Sequence, residues 1–323
     1  MGSDSNRFVG ALVRHDLASI RQVPKSDLHN HFVLGGCRDY IFQQTGIKIP
    51  SLDRTVKSIQ DMHEWCEKHI GLGHRFDSLD LHRVLLEAAF HQARKDGVKI
   101  LEIGEDVWAN AKYYGGDVSL LVDTFLEVRQ RVAPCTELRF QIGLSRHCPV
   151  NLLEKWLEPF WGRKEFYSID LSGDELAQPI ENFVPIYRRA KGYGLKLKAH
   201  IGEWGTTHDV IRGVELLELD EVQHGIAAAG SQAAMDYFVE NGIRLNICPT
   251  SNVKLGRVDS LKNHPISTLY RHGVDVTINS DDVLVFDSDV SKEYLRLHRH
   301  GVLSADELDA IRLNGLGMRE SVC

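Results

Sequence analysis

Histidines and carboxylates gather at four places in this 323-residue chain. They are Asp27-Leu28-His29-Asn30-His31, His200-Ile201-Gly202-Glu203, His224-Gly225 and Ser280-Asp281-Asp282. In an extended segment residues i and i+2 face the same way, so His29 and His31 aim two imidazoles at one point. Neutral imidazole suits Zn²⁺; His200 offers a third ligand of that type, and Asp281 a hard oxygen. An open position on such an ion would hold a water whose pKa is lowered toward neutrality. Glu203 follows a glycine that lets the chain turn sharply off a strand. Its carboxyl is a candidate proton donor if burial raises its pKa. His224 could ligate a second metal or act on the activated water. The adjacent carboxylates Asp281 and Asp282 cannot both be buried cheaply without a cation or a donor. One ligand and one substrate contact is a natural division.

The elements that position these groups alternate along the chain. Short apolar runs predict eight strands: Asp27–Phe32, Val98–Ile103, Leu138–Leu144, Phe166–Leu171, Leu195–His200, Glu221–His224, Ile243–Cys248 and Val274–Ser280. Helical spacing is read between them at Leu79–Arg94, Val118–Arg131, Ile180–Tyr193, His208–Leu217 and Ala233–Asn241. Gly97, Gly194, Gly242 and Gly273 each stand between a helix end and the next strand. This grammar predicts an α/β fold, a (β/α)8 TIM barrel, whose chemistry collects at the C-terminal strand ends. All four segments fall there. The alternative, an open doubly wound sheet, lacks a GxGxxG or P-loop after any strand. A long excursion, roughly residues 35–96, is expected to place extra helices over the barrel mouth. No linker or repeat divides the chain, so one domain over 1–323 is the reading.

Composition narrows the partners. With 38 Lys+Arg against 45 Asp+Glu the net charge is −7, which argues against a nucleic-acid polymer. No apolar run reaches membrane-spanning length, and the N-terminus does not read as a signal peptide. Six cysteines without a CxxC pair argue against a zinc ribbon or disulfide scaffold. A cytoplasmic location is expected, and a homo-oligomer is left open.

Taken with Lys25-Ser26, Gly143-Leu144-Ser145-Arg146-His147, Asp170-Leu171-Ser172-Gly173-Asp174-Glu175, Cys248-Pro249-Thr250-Ser251-Asn252 and His264-Pro265, the four segments resemble the adenosine deaminase family of zinc-dependent purine deaminases. The similarity runs from Lys25 to about residue 297. It implies one Zn²⁺ per chain, held by His29, His31, His200 and Asp281. It implies that Glu203 hands a proton to purine N1, and that His224 is the base orienting the attacking water. Asp281 joins these two in the catalytic group. Asp282 resembles the group that meets N7, the Gly173 N–H the contact to N3, and His31 also borders the substrate. The reaction implied is hydrolytic deamination of an adenine nucleoside or related purine, releasing ammonia.

Two departures from the family pattern bear on substrate. The family usually places Asp, Glu or Asn where this chain has Val33, and in adenosine-specific members that carboxylate holds the ribose 5′-hydroxyl. Its loss motivates an alternative substrate altered at the 5′ position, such as AMP or dAMP, or free adenine. Arg38, His74 and Arg75 are then candidates to meet a phosphate. Val283, where many members have Pro, reads as a loop difference. A second alternative is another metal-dependent amidohydrolase. Two-metal members commonly carry a bridging Lys at the end of the fourth strand, and here that strand ends Asp170-Leu171-Ser172-Gly173 without one. The zinc deaminases built on HxE and PCxxC are excluded by the absence of CxxC.

Overall fold

A computed structural model describes residues 3–318. Eight strands form one parallel sheet in sequence order. They are β1 Lys25–Asp27, β2 Val98–Asp106, β3 Glu137–Ser145, β4 Phe166–Ser172, β5 Lys196–Ile201, β6 Glu221–His224, β7 Arg244–Ile247 and β8 Asp275–Ile278. Between β8 and β1 the ring is drawn together beyond the strands. A parallel bridge joins Asn30 to Asp281, and the Asp281 N–H donates to His29 O at 2.9 Å. The Leu28 N–H donates to the Asn279 side chain at 2.8 Å. The architecture is the (β/α)8 barrel expected from the alternation of elements.

The strands are apolar because both faces are covered. Ile103, Ile142, Leu144, Ile169, Leu171 and Val222 are all buried. The outer helices turn one apolar stripe toward them. Helix Leu79–Lys95 starts where Ser78 accepts from the Leu81 N–H, and buries Leu85, Leu86, Ala88 and Ala89. Gly97, between that helix and β2, has φ +72°, and a Cβ there would lie 2.1 Å from Arg21 O. A side chain at that position would collide with backbone.

Two elements differ from expectation. β1 stops at Asp27, so His29 and His31 lie beyond it rather than in a strand. The Leu28 N–H is spent on the Asn279 side chain, and the chain curls as the Leu34 N–H donates to His31 O. The alternation argument for HxH therefore gave the right convergence through a different backbone. The helix expected over residues 180–193 is divided into a 3₁₀ turn, Ile180–Phe183, and an α-helix, Val184–Gly192. Pro185 sits in the first helical turn, where its missing N–H costs nothing.

The excursion after β1 has two parts. Helix Ile59–His69 lies over the mouth, with Ile59, Met62 and Cys66 facing the cavity described below. Helix Leu79–Lys95 is the outer helix preceding β2. Among the described residues no helix is long and apolar enough to cross a membrane.

Candidate active site

The four segments meet at the C-terminal strand ends. His200 Nε2 lies 2.9 Å from His29 Nε2 and 3.2 Å from His31 Nε2. Asp281 Oδ1 is 3.5 Å from His31 Nε2 and 3.8 Å from His29 Nε2. His29 donates through Nδ1 to Asn246 O at 3.0 Å, which leaves a lone pair on Nε2. His200 turns Nδ1 to the Asp170 carboxylate at 3.3 Å, leaving Nε2 in the same state. Two lone pairs 2.9 Å apart repel unless a positive centre lies between them. Three imidazole nitrogens and one carboxylate oxygen suit a zinc-type divalent ion.

The electrostatics divide the three imidazoles. Burial lowers the His29 pKa to about 3 and also lowers His31, keeping both neutral, the form that binds metal. Burial likewise disfavours a charged His200, but Asp170 and Asp281 outweigh it and raise the group to about 9, so without an ion a proton on His200 is the positive centre between the nitrogens, and a metal takes that proton's place. Cys248 stands close to His29, His224 and Asp281. Burial and the nearby carboxylates hold its thiol well above the ordinary range, so it is a poor thiolate ligand.

Glu203 sits just past β5 on a turn gripped from outside. Gly202 has φ +76°, and a Cβ there would meet Val210 at 2.1 Å. The Glu175 carboxylate accepts three successive backbone N–H groups, from Gly202 at 2.7 Å, Glu203 at 3.2 Å and Trp204 at 2.7 Å. Burial, then the Asp281 charge, push the Glu203 carboxyl up to about 8. Its Oε1 is 3.5 Å from His224 Nε2, which in turn is 3.8 Å from Asp281 Oδ2. Burial and the surrounding imidazoles hold the His224 pKa well down. Burial, Asp281 and Glu203 hold the Asp282 carboxyl well above the carboxylate range. Asp282 Oδ1 is buried without a hydrogen-bond partner.

His31, Asp170, His200, Glu203, His224, Asp281 and Asp282 border one cavity of about 380 Å³. Val33, Met62 and Trp108 give it apolar walls, and Gly173 lines it at φ +85°. Its other carboxyls are Glu67, Glu105 and Asp106, and its other imidazoles are His63, His82 and His147. Burial pushes Asp106 up to about 7. Among the described residues no lysine or arginine lines the cavity. The three basic residues expected to reach a phosphate are elsewhere. Arg38 pairs with Asp287 at 3.1 Å, exposed His74 with Glu67 at 2.7 Å, and exposed Arg75 donates to His69 O at 3.4 Å.

With this geometry in hand, the chain can be compared with known proteins. Residues 24–323 match the family model described as adenosine deaminase. The chain belongs to the adenosine deaminase family. It is a deaminase, and the resemblance read from its motifs holds along the barrel. A Treponema pallidum (strain Nichols) protein carrying the provisional description adenosine/adenine deaminase is 32% identical over 297 residues, 90% of this chain and 98% of that one. An adenine deaminase from Arthrobacter aurescens shares the fold, with TM-score 0.77 and 21% identity over 92% of this chain and 94% of that one. The N6-methyl-AMP deaminase of Arabidopsis thaliana does too, with TM-score 0.73 and 17% identity over 94% of each chain. The family suggests a metal ion, and the donor set fits one.

Five residues around this deaminase site were not assigned a task from sequence. Asp170 and Asn246 orient the imidazoles, Glu175 grips the Glu203 turn, and Asn252 and His264 form a polar chain behind Glu203 and His224. Asp170, Glu175, Asn252 and His264 stand in recognised motifs, which was the signal available. Their partners are 12 to 49 positions away, so the tasks were not legible.

Proposed function

We propose that this deaminase removes the 6-amino group of an unphosphorylated adenine nucleoside or of adenine. Water is consumed and ammonia released. One observation carries the reading. Two buried carboxyls held toward their protonated forms, Glu203 and Asp282, border the same cavity as His31, His200 and Asp281. One Zn²⁺ per chain, on His29, His31, His200 and Asp281, would lower the pKa of a water toward neutrality.

The protein's own residues supply the rest. As water adds at C6, the ring gains electron density, and Glu203 delivers a proton to N1 so that the ring can accept it. His224, between Glu203 and Asp281, orients the incoming water. Purine N7 is an acceptor, and protonated Asp282 is a matching donor. The Gly173 N–H meets N3. Glu203, recharged by the proton that the water releases on adding, passes it to the amino group, which leaves as ammonia while the hydroxyl proton returns to Glu203 and an oxo group remains. Helix Ile59–His69 covers the base with apolar side chains and limits bulk water.

The absence of phosphate follows from charge. A 5′-phosphate is best held by lysine or arginine, and among the described residues neither lines the cavity, which instead offers three spare carboxyls and three histidines. We also read the chain as one catalytic domain, since the excursion and the barrel line one cavity, and as a cytoplasmic protein with free thiols. Its oligomeric state is for hydrodynamic measurement.

Ammonia release with adenosine, deoxyadenosine, adenine, AMP and dAMP tests the substrate. An unphosphorylated substrate should exceed both nucleotides in kcat/KM by more than about tenfold, roughly 1.4 kcal/mol in the transition state. A preference for AMP or dAMP would overturn the charge argument. His200→Ala should lower bound zinc by elemental analysis; unchanged zinc would remove His200 from the ligand set.

A further inference from the structure

Behind Glu203 and His224 runs a chain of hydrogen bonds that the reaction as described does not use. It begins in the loop before β8. The Ile266 N–H donates to His264 Nδ1 at 3.1 Å. A backbone N–H is always a donor, so His264 Nδ1 is an acceptor and its ring proton is on Nε2. His264 is buried, and burial keeps it neutral, with its pKa down at about 3. Nε2–H therefore donates to Asn252 Oδ1, 3.2 Å away. That bond settles which end of the Asn252 amide is oxygen. Its Nδ2 then faces both His224 Nδ1 and Glu203 Oε1, each at 3.1 Å, with one N–H for each.

Two proton positions follow. His224 Nδ1 receives a hydrogen bond, so neutral His224 carries its proton on Nε2. That nitrogen points toward Glu203 Oε1 and Asp281 Oδ2, at 3.5 and 3.8 Å. A protonated Nε2 has no lone pair for a metal. It has instead an N–H to offer the water. Glu203 Oε1 also receives an N–H, so the acid proton of Glu203 is on Oε2. A flipped amide would leave His224 with its proton on the wrong nitrogen and place an oxygen lone pair against Glu203 Oε1.

We propose that Asn252, keyed by His264 and the Ile266 N–H, is a positioning residue that sets the proton locations of both His224 and Glu203. It delivers one N–H to each, and so poises an orienting donor and a proton-delivering acid at the same time. The inference rests on Glu203 and His224 being the reacting pair. Its direct readout, the His224 tautomer, does not depend on turnover.

The test uses zinc-loaded enzyme with ¹⁵N-labelled histidine, and His224→Gln to assign the His224 signals. The resting enzyme should show His224 protonated at Nε2 and unprotonated at Nδ1. The opposite tautomer would overturn the proposal. Asn252→Asp keeps the size and can still accept from His264 but has no N–H to give. It should lower kcat by about 100-fold or more, as expected for a wrong tautomer, with KM within about threefold and zinc unchanged. Retention of kcat within about threefold would overturn the proposal. Should that variant not fold, the His264 pair decides. His264→Gln, which can still donate to Asn252, should keep kcat within about threefold, while His264→Leu should lose about tenfold. Equal kcat in the two would overturn the relay. Wild-type turnover in His224→Gln would instead remove His224 from the reaction, leaving the measured tautomer as a separate result.

Discussion

One strand, β5, carries two buried basic side chains two residues apart, and they live in opposite circumstances. Lys198, deeper in the barrel, is fully enclosed between Glu102 at 2.8 Å and Glu221 at 2.7 Å. Ser168 donates to Glu102 and Asn246 to Glu221. Burial alone would lower the Lys198 pKa, but the two glutamates outweigh it and raise it. Every charge there has its partner within the protein. His200, one step toward the mouth, has Asp170 on one side, a carboxyl that it helps hold low, but on the other it faces two imidazole nitrogens, and the nearby Glu203 and Asp282 carboxyls are held toward protonation. Both regions bury ionisable groups at the cost of desolvation. The barrel interior recovers that cost internally, whereas the mouth leaves donors and acceptors for a metal and a substrate. Buried charge thus marks function only where it is unmatched.

Four results would sharpen or break this contrast. The largest effect is expected at the mouth. Glu203→Gln removes the proton donor while keeping shape, and kcat should fall by about 10²- to 10⁴-fold with zinc content intact. Activity within tenfold of wild type would end the proton-donor role. In the barrel interior, Lys198→Met leaves Glu102 and Glu221 buried without their cation. Stability should drop by about 3–5 kcal/mol in denaturant unfolding. A loss below about 1 kcal/mol would show that the interior is not charge-matched.

Asp282→Ala takes the opposite course. It should lower kcat/KM by about 10- to 100-fold through the lost N7 contact, while stability holds or rises, because an unpaired buried carboxyl has been removed. The smallest effect is in pH. Glu203 is active in its protonated form, and its pKa is raised to about 8, so kcat/KM should be flat below that pH. It should fall by about tenfold per unit above it, as the proton is lost. In Glu203→Gln that alkaline limb should disappear from the residual rate.

Much of the site was readable because its chemistry is concentrated in short motifs. His29, His31, His200, Glu203, His224, Asp281 and Asp282 were each singled out by type and by place at a strand end, and the structure brings them together. Val33, singled out because it departs from the family pattern, lines the cavity. The phosphate-binding candidates Arg38, His74 and Arg75 were not recoverable from sequence. None of the three lines the cavity and each is engaged with a protein partner, and no local pattern reveals which way a long side chain on an inserted segment will turn. The end of β1 was missed for a related reason. The backbone at Leu28 bonds to a side chain 251 residues away, so the alternation that suggested a longer strand lost to a distant contact.

By itself the sequence determined the alternation of strands and helices, hence the barrel, and the residue types at its mouth. These depend on local propensity, on glycine punctuation and on hydrophobic period, which act over a few residues. Only the tertiary structure decided which nitrogen of each histidine faces the candidate metal site, which carboxyls are held toward protonation, and that no lysine or arginine among the described residues lines the cavity. Those properties depend on burial and on partners from other strands. Proton location is set by the hydrogen bond at the far side of each ring or amide, and that partner is supplied by the fold.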